Sequence, residues 1–333
     1  MALGKVLPDV LKVMSAGEMN FLTTIPGKRG YSHLVNGSAH EVKGRQTQIS
    51  ASDKILKRIE KLDISFSDIR RSQSEEVIEL REPKERNDKA GALVEYSDTE
   101  ETVRLRGELR SINSWLGGAD IECELSSTAD RRLKRVFNNS DFEQGGRLYG
   151  GFWQKIKSED RLGSIIIDDD SVVELDYGQM GLLLLYGLAG ATPPSGDLYD
   201  LSTYGIPYSC RPGLKKVIQA AINSDKRLRR MPRGARKTIP KRYSLKCILS
   251  AVSECHSEVY RYFGSGVGMQ TMRLESDILV QVLLSLKDKR ITALPVHDAI
   301  LVNANFEEAA KEVMIEEFRK KTGLIPEVNT EHP

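Results

Sequence analysis

Apolar residues follow two different spacings along this chain, and each spacing predicts a different type of element. Runs rich in apolar residues at 164–167 and 172–175 flank the acidic triplet 168–170, which predicts a β-hairpin with an acidic turn. A second strand–turn–strand unit is expected over 291–302. Apolar positions three and four residues apart predict helices at 52–62, 105–116, 133–137, 179–190, 214–223, 243–263, 270–286 and 307–321.

Strands that arrive separately among long helices predict an α+β fold, in which helices back an antiparallel sheet. Residues 72–101 are rich in Glu, Lys and Arg and poor in large apolar side chains, which is typical of a linker or an exposed helix. We therefore expect a helical or accessory N-terminal region at 1–102, with the charged linker at about 72–102, and a core domain at 103–333.

Composition and charge narrow the classes of function. The 333 residues are 40% hydrophobic and 29% charged, as in globular proteins, and their net charge is +2. Binding to nucleic acid would therefore depend on a local cluster of cations. Such a cluster lies between Lys226 and Lys246, and it includes Arg233, Arg236 and Lys237. It predicts contacts with phosphates, and a solvated basic loop is the alternative.

Cysteine usage and apolar run lengths bear on the compartment. The four cysteines lack the CxxC or Cys/His spacing of a zinc site, so we interpret them as reduced thiols. The longest apolar run, 180–189, is much shorter than the ~20 residues of a membrane-spanning helix. The first residues contain no cleavage-like site. We expect a cytoplasmic protein that does not insert into a membrane.

Two aspartates stand at the ends of short apolar runs. Asp176 follows the run 172–175, and Asp298 separates the runs 294–296 and 299–302. Carboxylates at strand ends suit hard metal ions beside a phosphate, although a lone aspartate there is more often a cap. Two carboxylates can share two Mg²⁺ ions, for which Mn²⁺ can substitute, and such sites activate a hydroxyl and stabilise a leaving pyrophosphate. The pattern predicts nucleotidyl transfer, with Asp176 and Asp298 as catalytic metal ligands.

The sequence DYGQ at 176–179 and the sequence VHD at 296–298 resemble the first and last catalytic motifs of family A polymerases. That group contains the bacterial repair-type DNA polymerases and, more distantly, the single-subunit phage and mitochondrial RNA polymerases. The resemblance covers about 104–302 and implies a right-hand fold with a palm sheet and small helical fingers. Weaker similarities occur in the family's order at Arg147, Gln154, Arg161, Arg211, Lys215 and Gln270.

The resemblance implies a role for each of these positions. The backbone of Tyr177 would complete the metal site. The residues that would bind the incoming nucleoside triphosphate are Gln179, Gly181, Arg211 and Lys215. The residues that would contact a DNA template or primer are Arg147, Gln154, Arg161, Gln270, His297, Arg233, Arg236 and Lys237. In the glycine-rich segment 145–154, Tyr149 or Trp153 would stack on a base, unless the segment is a tight turn with buried aromatic rings.

Several positions depart from the family pattern. Gly181 stands where DNA-synthesising members usually have a glutamate that crowds a ribose 2′-hydroxyl, so we expect weak discrimination against ribonucleotides. Ala299 follows Asp298 in place of a frequent glutamate, which leaves two carboxylates. Gln219 and Asn223 occupy positions where aromatic residues often close over the nascent base pair. No segment before 104 carries convincing paired acids, and we expect no proofreading exonuclease.

The leading hypothesis is a compact, monomeric DNA-directed DNA polymerase of bacterial, phage or plasmid origin, with an N-terminal region that could act as a thumb. One alternative is a primer-independent RNA polymerase or primase, which Gly181 favours. Another is a palm-shaped nucleic-acid-binding protein without catalytic activity, against which the presence of both Asp176 and Asp298 argues. The first two hypotheses differ in the nucleotide that is used and in the need for a primer, and the third involves no reaction.

Overall fold

A computed structural model of the chain describes residues 3–28, 31–35, 38–42, 44, 46–65, 75–84 and 90–333. The chain divides into two units, residues 1–70 and 71–333. No helix in the described part of the chain combines the length and the apolar composition that a bilayer crossing requires.

The first unit contains strands as well as helices. Its elements are α1 (Leu3–Ser15), β1 (Leu22–Ile25), β2 (Tyr31–Val35), β3 (Ser38–Val42), β4 (Gln48–Ala51) and α2 (Asp53–Lys61). Strand β1 pairs with β4, and β2 pairs with β3, both antiparallel. Helix α2 confirms the helix predicted at 52–62. The expectation of a helical N-terminal region was incomplete, because short runs such as Leu22–Ile25 are rich in β-branched residues, which favour strands.

A six-stranded sheet lies at the centre of the second unit. Its path is β11 (Ala293–Val296), β12 (Ala299–Asn303), β10 (Asp170–Tyr177), β9 (Ile165–Ile167) and β6 (Ile121–Cys123), and β13 (Val328–Glu331) also pairs with β10. Every pairing in it is antiparallel. Val172, Val173 and Leu175 are fully buried, because helices cover the sheet and leave β10 little contact with water.

Seven helices of the second unit are α3 (Glu100–Gly118), α4 (Ser158–Ser164), α5 (Met180–Ala189), α6 (Arg211–Ile222), α7 (Leu245–Cys255), α8 (Gly268–Asp288) and α9 (Glu307–Thr322). Helix α8 packs on β11, and α9 packs on α8, β10 and β12. Leu286 of α8 and Phe318 of α9 are fully buried, and burial of each such side chain contributes about 1.5–3 kcal/mol. The predicted α+β fold, a palm-like antiparallel sheet backed by helices, is confirmed.

A smaller sheet carries two departures from the sequence predictions. Its strands are β5 (Ile78–Leu80), β7 (Lys134–Asn138) and β8 (Asp141–Tyr149), with β5 parallel to β7 and β7 antiparallel to β8. The helix predicted at 133–137 was wrong, because these residues alternate between buried and partly exposed positions as strand β7. Strand β5 interrupts the predicted linker at 72–102, since its apolar residues are buried.

Two turns of the main sheet matter for the site. Asp168 and Asp169 form the predicted hairpin turn between β9 and β10, at φ of 51° and 62°, and Asp170 is the first residue of β10. The turn between β11 and β12 contains His297 at φ of 57°, a left-handed conformation that permits a tight reversal. The helix predicted over 243–263 ends at Cys255, where His256 leaves helical geometry and is completely buried.

Candidate active site

Asp176 and Asp298 lie at the same edge of the main sheet. Asp176 is near the end of β10 and pairs with Ala299 of β12. Asp298 immediately precedes Ala299, in the turn where Val296 pairs with Ala299. Cross-strand neighbours in an antiparallel pair have Cβ atoms about 5 Å apart. The strand register therefore brings together two carboxylates that are separated by 121 residues of intervening sequence.

The electrostatics of Asp176 reflect this proximity. Burial and the negative charge of Asp298 raise the pKa of Asp176 from its ordinary 3.8 to about 7. The charge of Lys215 opposes this shift, while Glu174 and Glu275 add to it. Two ionised carboxylates repel each other when they share a site of low polarity. A cation bound between them would remove that repulsion.

A third carboxylate, Glu275 of α8, lies nearby but is held by an arginine. Arg147 of β8 donates from Nε to Glu275 Oε1 at 2.7 Å and from Nη2 to Oε2 at 3.1 Å. Burial raises the pKa of Glu275, and the charge of Asp298 acts in the same direction. Sequence reasoning missed Glu275, whose only signal was an acid within an apolar helix. Arg147 thus stands beside the aspartates with its guanidinium already paired.

The donor set fits a magnesium site of the open kind. No group of three or more His, Cys, Asp or Glu side chains arranged to hold a metal ion occurs among the described residues. Mg²⁺ usually keeps several waters and takes one or two carboxylates together with substrate phosphates. Asp176 and Asp298 supply that number. Tyr177 could contribute through its backbone alone, because its buried hydroxyl donates to the carbonyl oxygen of Met314 at 2.8 Å.

Helix α6 places a row of polar residues beside Asp176. Arg211, Lys215 and Gln219 recur every four residues and so lie along one face of the helix. Lys215 is exposed and forms no ion pair with a described residue, and its charge lowers the pKa of Asp176. Arg211, by contrast, is bound to Asp197. Lys215 is therefore a cation that acts on the charge of Asp176 and is not already paired with a carboxylate of the described residues.

Segment 197–199 is fixed by hydrogen bonds on both sides of Leu198. Gln179, which immediately precedes α5 at φ of 57°, accepts a hydrogen bond from the backbone N–H of Leu198 through its side-chain oxygen. The Leu198 carbonyl accepts from His256 Nε2 at 2.9 Å, and His256 Nδ1 accepts from the Tyr186 hydroxyl at 2.9 Å. Gln179 thus has an internal partner, and its expected contact with a nucleotide stays a prediction. Neither Asp197 nor His256 was singled out by sequence reasoning.

Three residues expected to contact nucleic acid have internal roles. Arg161 is 7% exposed and donates to Glu174 at 2.9 Å. Gln154 donates to the carbonyl oxygens of Leu148 and Pro295, and Trp153, fully buried, donates to the same oxygen of Pro295. Each of these side chains satisfies buried backbone or a partly buried carboxylate, and their contacts with nucleic acid stay predictions. The alternative of a turn with buried aromatic rings describes this segment.

The remaining predicted contacts are at the surface. Tyr149 is 43% exposed, and Gln270 is exposed in the first turn of α8. His297 is exposed at the turn beside Asp298, and the surrounding protein and the charge of Arg147 lower its pKa. These positions are open to a bound molecule.

The basic cluster between Lys226 and Lys246 is anchored on α6. Its buried residues Ala235 and Ile239 pack against Gly213, where a Cβ would lie 2.6 Å from the Ala235 carbonyl oxygen. Its cations Arg233, Arg236 and Lys237 are exposed, and Arg236 donates to the carbonyl oxygens of Pro240 and Tyr243. The cluster is therefore a defined surface next to α6.

Comparisons with known proteins give a likeness to solved structures but none in sequence. No family model matches the chain, and no curated protein matches its sequence. A solved structure described as the POL domain of Pol1 from M. smegmatis, in complex with DNA primer-template and dNTP, is similar at a TM-score of 0.40 and 13% sequence identity. The similarity covers 69% of this chain, which spans 50% of that structure.

Proposed function

We propose that this chain catalyses template-dependent nucleotidyl transfer and that its preferred reaction is DNA-directed synthesis of DNA. The observation that carries the proposal is the juxtaposition of Asp176 and Asp298, which Lys215 approaches from α6. Such an arrangement of two carboxylates and a nearby free cation suits a substrate that carries a triphosphate. A purely structural pair of aspartates would instead be hydrogen-bonded to backbone or paired with arginine.

Asp176 and Asp298 would hold Mg²⁺, which when bound supplies charge neutralisation and lowers the pKa of an attacking hydroxyl. Lys215 would lie along the triphosphate, where a positive charge stabilises the negative charge that builds during displacement. Arg211 stands one helical turn before it and would contact the same phosphates while it remains paired with Asp197. Arg147 keeps Glu275 neutralised, so that this third carboxylate adds less repulsion to the site.

The basic cluster extends the proposal to nucleic acid. Because Arg233 and Lys237 are exposed and form no ion pair with a described residue, they can neutralise phosphates without first breaking an internal contact. Binding of this kind releases counterions and weakens steeply as salt rises. Because the basic cluster is attached to α6, a template or primer bound to it would lie close to the triphosphate site.

Extension of a labelled primer tests the proposal. A single-stranded DNA template, with and without an annealed primer, is incubated with dNTPs or rNTPs in Mg²⁺ and then in Mn²⁺. Asp298→Asn is compared with Asp160→Asn, a matched change at an exposed aspartate of α4. We expect primer-dependent addition of dNTPs that Asp298→Asn reduces by at least about a hundredfold and Asp160→Asn leaves intact.

Other results would overturn the proposal. Products made from rNTPs without a primer would assign the chain to the primases or RNA polymerases. Absence of product in every condition, with DNA binding retained, would favour a binding protein without catalytic activity.

A further inference from the structure

A cavity of about 600 Å³ lies on the second unit, where the C-terminal ends of α3 and α8 meet the turn between β9 and β10. Trp115 of α3 lines one side of it, and Lys287 and Arg290 line it at the end of α8. Asp168 of the turn and Asp120, which immediately precedes β6, contribute two carboxylates. The cavity has the volume that small-molecule sites usually have.

The cavity is at the opposite end of β10 from the two aspartates of the candidate active site. Strand β10 begins two residues after Asp168, at Asp170, and reaches Asp176 six residues later. At about 3.3 Å per residue, the strand separates the cavity from Asp176 by about 20 Å. No residue that lines the cavity is among the groups that shift the pKa of Asp176 most. A ligand bound here would therefore leave Asp176 and Asp298 accessible.

The backbone of Arg290 has a conformation that favours glycine. Arg290 is at φ of 61°, and two hydrogen bonds of 2.9 Å close the end of α8 around it, from its own N–H to the carbonyl oxygen of Lys287 and from the next N–H to that of Leu286. Helices α5 and α9 end at Gly190 and Gly323, at φ of 62° and 75°. Glycine adopts this conformation without strain. An arginine kept in it indicates that the side chain has a role of its own.

The charged side chains of the cavity are not paired with one another. Arg290, Asp120 and Asp168 form no ion pair with any residue that the structure describes. Lys287 approaches the adjacent Asp288, with 3.6 Å between Nζ and Oδ1. Burial and the charges of Asp120 and of the adjacent aspartate raise the pKa of Asp168. Two cations and two carboxylates thus line the same space without neutralising each other.

This balance of charge selects the kind of ligand. A nucleoside triphosphate carries several negative charges, which two cations beside two carboxylates do not compensate. A simple anion would be repelled by Asp120 and Asp168, and a simple cation by Lys287 and Arg290. A molecule with one negative and one positive group avoids both repulsions, because each group can lie beside the side chains of opposite charge. The half-buried indole of Trp115 offers an apolar surface to the rest of the molecule.

We infer that this cavity binds a zwitterionic small molecule, an α-amino acid with a large apolar side chain. The planar guanidinium of Arg290 would donate two hydrogen bonds to the carboxylate, and Asp168 would accept from the ammonium group. The apolar side chain would lie against Trp115. The site does not depend on the proposed nucleotidyl transfer.

Calorimetric titration of the full chain with L-phenylalanine tests the inference, because its analogues remove one group at a time. Phenethylamine lacks the carboxylate, 3-phenylpropanoate lacks the ammonium group, and glycine lacks the ring. We expect a dissociation constant below about 1 mM for phenylalanine and about tenfold weaker binding of each analogue. Phenylalanine at saturation should leave the affinity for dATP unchanged.

Variants at the end of α8 separate a ligand contact from a structural role. Arg290→Gly removes the guanidinium and the unfavourable backbone together, so it should weaken phenylalanine binding about tenfold while the Tm rises by about 2 °C. Lys289→Gly, at an exposed lysine with φ of −82°, is the matched control. It should keep the affinity of the parent chain and lower the Tm, because glycine gains nothing at that backbone angle.

Asp168→Asn tests the carboxylate side of the cavity. Asparagine also tolerates the left-handed backbone of this turn, so the variant should fold as the parent chain does. We expect it to weaken phenylalanine binding about fivefold and to leave 3-phenylpropanoate, which has no ammonium group, bound no more weakly than before.

Three results would contradict the inference: no binding of phenylalanine up to about 10 mM, a single-charge analogue that binds as tightly as phenylalanine, or an unchanged affinity in Arg290→Gly. Selective phenylalanine binding by a chain that neither binds dATP nor extends a primer would support the inference while the proposed function fails. Primer extension without phenylalanine binding would have the opposite meaning.

Discussion

Arg147 and Glu275 face each other across β8 and α8 and share two hydrogen bonds, of 2.7 and 3.1 Å, beside Asp298. The side chain of Glu275 is 10% exposed, so its charge depends on Arg147 for compensation. The pair connects the small sheet to the long helix that backs the main sheet. Because Arg147 compensates the charge of Glu275, this third carboxylate adds little uncompensated negative charge next to Asp176 and Asp298.

Replacement of Arg147 by alanine should destabilise the protein by about 3 kcal/mol at pH 8, because Glu275 is left buried without a partner. Burial already raises the pKa of Glu275, and loss of Arg147 removes the group that opposes this shift. A raised pKa favours the neutral form in the folded state, so stability is retained at low pH and is lost as pH rises through that pKa. Urea unfolding of the parent chain and of Arg147→Ala at pH 5 and pH 8 measures the loss of unfolding free energy at each pH.

The matched comparison is Glu275→Gln, which removes the charge and retains the shape. Its loss of stability should be smaller and should vary little between the two pH values. Equal losses at pH 5 and pH 8 in Arg147→Ala would contradict the assigned charge compensation.

The metal-free protein should lose stability between about pH 4 and pH 7 through Asp176. Burial and the charge of Asp298 raise its pKa from 3.8 to about 7. The unfolded chain therefore ionises this carboxyl first as pH rises, and the contribution of Asp176 to folding declines up to the folded pKa by an amount on the order of a few kcal/mol. Added Mg²⁺ should reduce the decline, because it favours the ionised form.

Urea unfolding of the parent chain and of Asp176→Asn, with chelator and with Mg²⁺, gives the comparison. Asp176→Asn lacks the titrating group, so its stability should fall less over the same pH range. If the two proteins follow parallel pH profiles with chelator, the raised pKa of Asp176 is refuted.

The sequence predicts some elements of the fold correctly and others wrongly. The strand ends at Asp176 and Asp298 and the acidic hairpin turn were predictable, because short apolar runs and turn chemistry are local. Residues 133–137 were assigned to the wrong element, since a short apolar run is compatible with either a helix or a strand. Pairing of this segment with β5 and β8 selects the strand, and no local sequence pattern indicates that pairing.

Partners far apart in sequence account for most of what was missed. Arg147 and Glu275 are separated by 128 positions, and no pattern in either segment indicates the other. Gln154 and Arg161 look like surface polar residues from their neighbours, but their donors satisfy groups inside the fold. The side chain of Gln219 fills the space above Gly181, where a Cβ would lie 2.6 Å from its Nε2, and no local pattern indicates this contact between α5 and α6.

Two glycine substitutions, one on α5 and one on α6, should differ in their effect on stability. Gly181→Ala displaces only the far end of the flexible Gln219 side chain, so stability should change by less than about 1 kcal/mol. Gly213→Ala places its Cβ 2.6 Å from a backbone oxygen, that of Ala235, which cannot move alone. We expect a cost of about 1–3 kcal/mol and weaker DNA binding.

Thermal or urea unfolding and DNA titration of both variants check this contrast. A larger loss of stability in Gly181→Ala than in Gly213→Ala would show that the assigned contacts are wrong.

Removal of Arg233 and Lys237 together should weaken DNA binding and reduce its salt dependence. Each lost phosphate contact lowers the slope of log K against log salt by about 1, so the double alanine variant should lose about 2. Lys289→Ala, at an exposed lysine that forms no ion pair with a described residue, provides the control. Titration of a primer-template at several salt concentrations gives the slopes, and a slope equal to that of the parent chain would exclude the cluster from the interface.

The most direct test of the central claim is the single-turnover rate of adding one dNTP to an annealed primer, measured for Asp176→Asn, Asp298→Asn and the double variant. If the two carboxylates act as one unit, each single change lowers the rate by at least about a hundredfold, and the double variant is little slower than the slower single one. DNA binding should remain within about threefold of the parent chain, as expected for a loss confined to the chemical step. A rate retained in either single variant, or losses that multiply in the double variant, would contradict a shared catalytic site.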